Sequence, residues 1–161
     1  MKKFILAAMM VVGLAGAANA QSIGDGKTFV TGSVGRLTSE HDERMSYGAA
    51  FGREVLPFLR AEVAYDYIDE NTKKGLGHGQ TLVANAIGQY KIPGTPIVPY
   101  VLVGTGYGWQ SFGDRAVYNV GAGARFEVTK VVDLDVRYKR IGNYDNSKTD
   151  DVVTAGVSVK F

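Results

Sequence analysis

Two histidines and no cysteine limit the acid–base and metal chemistry open to this chain. His41 stands among Glu40, Asp42 and Glu43, a group with the donor types for a metal or a proton transfer. His78 lies in another polar stretch, and histidines set among solvated charges read as ordinary polar surface. Gly26-Lys27-Thr28 echoes the end of a phosphate-binding loop, but position 21 is Gln where that loop needs Gly. Gly104, Gly106 and Gly108 repeat every second residue, which is the period of a strand and not the dinucleotide fingerprint. The expectation is a protein without cofactor, metal site or catalytic residues.

A second set of chemically potent residues is charged and regularly spaced. Arg60 and Glu62, Arg125 and Glu127, and Asp133, Asp135, Arg137 and Lys139 each recur at intervals of two. In an extended chain that spacing points every member of a run to one side. The intervening residues are apolar, as in Val132, Leu134, Val136 and Tyr138 against the four charges of the last run. Facing hydrocarbon near the midplane, the arginines and lysine cost about 2–4 kcal/mol each and the carboxylates less. Enclosed with opposite signs adjacent, they satisfy one another, so they are expected as interior ion pairs of a barrel. An eight-stranded barrel has room inside only for side chains, so the network should plug the lumen. A gated proton or ion path is the sharper alternative.

Eight stretches alternate in this way, at 28–37, 45–55, 59–67, 81–91, 100–109, 118–128, 132–139 and 151–161. The first is the least regular, because Phe29 has the parity of the polar residues. Links between strands alternate in length. Residues 38–44, 69–79, 110–115 and 142–150 read as longer polar loops, whereas Leu56-Pro57, the segment from Ile92 to Pro96, and Thr129-Lys130 read as tight turns. That alternation gathers all the loops at one end of an up-and-down barrel.

Residues 1–20 read as a cleaved signal peptide. Lys2 and Lys3 precede an apolar run too short to span a bilayer, and Ala18-Asn19-Ala20 supplies a small-x-small cleavage site. The mature domain, residues 21–161, then carries 18 − 2 = 16 basic and 16 acidic side chains. A balanced charge without a basic block argues against nucleic acid as a partner. No Cys follows the cleavage point, so no lipid anchor is expected there. The mature chain holds no uninterrupted apolar run of helical spanning length, which leaves a closed β-barrel as the one way into a membrane. The fold expected is all-β, an eight-stranded antiparallel up-and-down transmembrane barrel; a secreted lipocalin-like carrier is the soluble alternative.

Four segments carry a likeness to a known family: 99–106 (PYVLVGTG), 121–126 (GAGARF), 132–138 (VDLDVRY) and the closing 157–161 (VSVKF). The chain resembles the small eight-stranded outer-membrane β-barrels of Gram-negative bacteria, which include the OmpA-type transmembrane domain and the opacity-type surface proteins. The resemblance implies outer-membrane location with both termini in the periplasm, and contact with outer-membrane lipids and lipopolysaccharide. It also implies that Val157, Val159 and Phe161 serve as an assembly signal for the barrel-assembly machinery. Enzymes of this architecture pair a histidine with serine or a carboxylate near the outer rim; neither histidine here has a serine two residues on, since Glu43 follows His41 and Gln80 follows His78 at that spacing, and no enzyme is expected. The chain ends at Phe161 with no peptidoglycan-binding domain expected beyond it. Function would then lie in loops that meet a host or cell-surface ligand, with Asp69, Glu70, Lys73, Lys74, His78, Tyr144, Asp145 and Lys148 as candidate contacts. A narrow channel for small solutes is the alternative.

Overall fold

The computed structural model describes residues 28–39, 42–69, 79–110, 113–144 and 149–161. They form β1 (Thr28–Ser39), β2 (Asp42–Leu56), β3 (Leu59–Ile68), β4 (Gly79–Gln89), β5 (Ile97–Gln110), β6 (Gly113–Glu127), β7 (Val132–Asn143) and β8 (Thr149–Lys160). Each strand is antiparallel to the next, and β1 pairs with β8 to close the cylinder. The seam continues past β8, where Phe161 N donates to Thr28 O at 2.9 Å and Thr28 N to Phe161 O at 3.2 Å.

The register fixes the barrel's dimensions. Paired residues followed once round run from Thr28 through Arg53, Ala61, Ala86, Val103, Val120, Arg140 and Asp151 to Thr38, a shear of 38 − 28 = 10 residues. With a rise of about 3.3 Å per residue and about 4.8 Å between strands, that shear tilts eight strands by about 40° and gives a radius of about 8 Å. Each residue then climbs about 2.5 Å along the axis, so about ten residues cross an apolar band of about 25 Å.

Alternation sorts the faces. Phe51, Val63, Val101, Val103, Leu134, Val136 and Val153 point outward and are exposed. Arg60, Glu62, Asp66, Arg125, Asp133, Asp135, Arg137 and Lys139 point inward and are buried. Among the described residues, no charged side chain points outward between Arg53, near the end that holds the chain termini, and Arg36 and Arg140, near the opposite end. Tyr47, Tyr65, Tyr107, Trp109 and Tyr118 gather toward that opposite end, where amphipathic rings suit a membrane–water boundary.

The links depart in part from the sequence expectation. The three tight turns lie at the end with the termini, and Pro93-Gly94 is the clearest. Proline sets its own φ, Gly94 takes φ 76°, and Thr95 N donates to Ile92 O at 3.2 Å. At the other end, however, β1 and β2 stay paired to Ser39 and Asp42, and β5 and β6 to Gln110 and Gly113. Two of the four links read as long therefore span only residues 40–41 and 111–112. Polar side chains marked those segments as loops, but strands that continue past the apolar band also carry polar side chains. Residues 69–78 and 144–148 remain the longer links. Phe29 keeps the parity of the polar residues that the sequence assigns it, and its ring is buried inside the barrel.

Candidate functional site

The lumen is where buried chemistry concentrates. β3 and β7 are four strands apart in a ring of eight, so they face each other across the cylinder, and two charged contacts bridge them. Arg137 donates from Nη1 to Glu62 Oε1 at 2.7 Å and from Nη2 to Glu62 Oε2 at 3.1 Å, a bidentate pair. Asn85 Nδ2 adds a third donor to Glu62 Oε1 at 3.0 Å. One step toward the loop end, Lys139 Nζ reaches Asp66 Oδ2 at 2.5 Å.

Around these rungs the remaining lone pairs and donors are largely engaged. Asp135 accepts from Tyr100 Oη at 2.5 Å and from Arg137 Nη2 at 3.3 Å, while Arg137 Nε donates to Tyr100 Oη at 3.0 Å. Gly123 makes this possible, because a Cβ there would stand 2.5 Å from the Tyr100 ring carbon Cζ and hydroxyl. Toward the termini, Arg125 pairs with Asp133 at 3.3 Å and donates to Gln89 Oε1, and Lys160 reaches Asp133 at 2.9 Å.

Two expected interior pairs turn out differently. Glu127 sits half-buried at the rim, held by Lys91 at 2.6 Å and Lys160 at 3.6 Å, because it ends β6 where the barrel opens. Arg60 is buried with its guanidinium 3.4 Å from the centre of the Phe29 ring, a cation–π contact, and with no carboxylate in salt-bridge range among the described residues. Pairing also runs mainly across the lumen or around it to other strands, not between neighbours on one strand. Sequence reasoning did not single out Asp66, Tyr100, Asn85, Gln89, Lys91 or Lys160. Asp66 and Lys160 do share the polar parity of their strands, which was the available signal; the cross-lumen partners leave no local trace.

At the loop end the interior changes character. Leu37, Ile68, Val83, Val117, Ile141 and Val152, one from each of six strands, form a buried aliphatic cluster above the Asp66–Lys139 rung. A second apolar group, Ile87, Tyr100 and Leu102, lines the wall lower down. Beside the ionic layer, a cavity bounded by Thr31, Ser33, Asp66, Arg137 and Thr154 offers about 10 Å³ to water centres, enough for about one molecule. The interior is a packed stack.

Of the loop residues, Asp69 is half-buried, its N–H donating to Met45 O at 2.9 Å. Tyr144 is exposed, packs edge-on against Tyr118 with ring centres 5.3 Å apart, and places its hydroxyl 3.3 Å from Thr105 Oγ1. Glu70, Lys73, Lys74, His78, Asp145, Lys148, His41 and the segment 1–27 lie outside the described residues. Val157 faces outward, and Val159 and Phe161 are half-buried at the seam.

A closed cylinder with an apolar outer wall and an ion-paired, filled interior defines a transmembrane β-barrel protein. The chain belongs to the outer membrane protein beta-barrel domain family, whose model matches residues 4–161, and its place is the outer membrane. No curated protein sequence matches. Among solved structures, Neisserial surface protein A (NspA) is 19% identical with TM-score 0.66, covering 83% of this chain and 96% of that one. The N-terminal β-barrel domain of Pseudomonas aeruginosa OprF is 18% identical with TM-score 0.67, covering 85% and 98%. Ail, the attachment invasion locus protein of Yersinia pestis, solved with the heparin analogue sucrose octasulfate, is 14% identical with TM-score 0.55, covering 84% and 97%. These likenesses show the shared fold.

Proposed function

We propose that this protein is a closed structural barrel that acts at the cell surface through its loops, in the manner of an adhesin or opacity protein, and is neither a channel nor an enzyme. The observation that carries the reading is the filled lumen: two charged rungs between opposite strands, topped by an aliphatic layer that offers ions no hydration. With the interior occupied, the surface left for recognition is the loop end, where residues 69–78 link β3 to β4 and residues 144–148 link β7 to β8. We place that end outside the cell and the termini in the periplasm, after removal of residues 1–20. Val157, Val159 and Phe161 would present the finished seam to the barrel-assembly machinery. Ail's complex with a sulfated heparin analogue makes sulfated glycans the first ligand class to assay; Lys73 and Lys74 supply matching charge.

Replacing residues 70–78 and 145–148 by two-residue turns tests the proposal. Adhesion to cells or to immobilised heparin should disappear while the barrel still folds, as judged by its shift on an unboiled gel. Unchanged adhesion defeats the surface role, and large, stable single-channel currents in a planar bilayer defeat the closed lumen.

A further inference from the structure

The inner wall built by β8, β1 and β2 differs from the rest of the lumen. Its side chains are small, with Thr154 and Gly156 on β8, Thr31 and Ser33 on β1, and Gly48 and Ala50 on β2. The flanking strands β7 and β3 supply Asp135, Arg137, Lys139 and Asp66, which complete the cavity noted above. On β1 the inward row continues to Phe29 on one side and Leu37 on the other, both buried and each four residues, about 10 Å along the axis, from Ser33. Phe29 carries the Arg60 guanidinium on its ring, and Leu37 belongs to the six-strand aliphatic layer. Along this wall, an apolar side chain stands at either end of the cavity.

Two oxygens converge in it. A Cβ at Gly48 would stand 2.6 Å from Ser33 Oγ and 2.8 Å from Asp66 Oδ1, so these oxygens are at most 2.6 + 2.8 = 5.4 Å apart. A water with two hydrogen bonds of about 2.8 Å spans up to about 5.6 Å. Asp66 Oδ2 already meets Lys139 Nζ, which leaves Oδ1 to face Ser33 over the bare backbone of Gly48. A carboxylate oxygen only accepts, whereas a serine hydroxyl both donates and accepts, so the guest that suits both has a proton to give and a lone pair to offer. Charge excludes an ion: the walls hold two carboxylates, Asp66 and Asp135, against two cations, Arg137 and Lys139, and an ion would forfeit its hydration for surroundings of no net charge. Size excludes anything larger, since about 10 Å³ for water centres admits one molecule.

We propose that Ser33 Oγ and Asp66 Oδ1 hold one trapped water over Gly48, which joins β1 to the Asp66–Lys139 rung and gives the Asp66 carboxylate a second hydrogen bond. One enclosed water is a fixed partner and not a path for ions or bulk solvent. The test is water-oxygen magnetic relaxation dispersion on the protein refolded in nanodiscs, which counts waters that stay longer than the barrel takes to tumble. G48A puts a methyl group between the two oxygens and S33V removes one of them; each should lower the count by one. G88A, on the outer wall, should leave it unchanged. The unboiled-gel shift identifies variants that have not folded. Should neither inner variant fold, cross-relaxation from water to the Gly48 Hα of the unaltered protein supplies the reading, with the sign of a water that tumbles with the barrel expected. Absence of that signal, an unchanged count in folded G48A and S33V, or a crystal structure with Ser33 bonded directly to Asp66 and no water between them, overturns the proposal. The inference rests on the closed lumen proposed above, and the two fail differently. Single-channel currents through the unaltered protein defeat the closed lumen and the trapping with it, whereas a silent bilayer with no long-lived water defeats the site alone.

Discussion

Neutralising Asp66 asks directly whether the lumen is dry. The Asp66 and Lys139 side chains are 8% and 4% exposed and meet at 2.5 Å, directly beneath the aliphatic layer. Asp66→Asn keeps the shape and removes the charge, leaving a buried ammonium without its counter-ion. Stripping one partner from a buried pair costs about 3–5 kcal/mol, whereas a solvated pair is worth about 0–1 kcal/mol. At about 3 kcal/mol the folded-to-unfolded ratio falls roughly 150-fold. Replacing both partners, Asp66→Val with Lys139→Met, removes the stranded charge and should return stability to within about 1 kcal/mol of the original. Urea unfolding in lipid vesicles reads both values, followed by the fluorescence of Trp109, the sole tryptophan, which sits on the outer wall. If Asp66→Asn shifts stability by less than about 0.5 kcal/mol, water reaches the rung, the aliphatic layer is no seal, and the case for a closed barrel loses its basis.

Two further expectations use the same measurement. Gly123→Ala must displace the Tyr100 ring and disturb its contacts with Asp135 and Arg137, costing about 1–3 kcal/mol, while Gly88→Ala, whose Cβ would find its nearest neighbour at 3.7 Å, should change stability by less than about 0.5 kcal/mol. Val103→Arg places a charge in hydrocarbon near mid-height and should cost about 2–4 kcal/mol, against about 0–1 kcal/mol for Phe126→Arg at the rim; equal costs would mean that the wall does not face lipid.

Strand identity, facing and closure were legible in the sequence because each is set by a period of two under one constraint. Buried or lipid-facing residues must be apolar, and ions must be enclosed, so runs such as Val132 to Lys139 declare both faces at once. Loop lengths were less legible, since polarity at Thr38 or Arg115 marks departure from the apolar band and not the end of pairing. What only the tertiary structure decided was the matching of partners. A shear of ten residues brings Glu62 to Arg137 and Asp66 to Lys139 across 75 and 73 positions of chain, sets Arg60 against Phe29 in place of a carboxylate, and collects six aliphatic residues from six strands into one layer. Side-chain period is a property of one strand, whereas depth along the axis depends on register summed round the whole closed sheet.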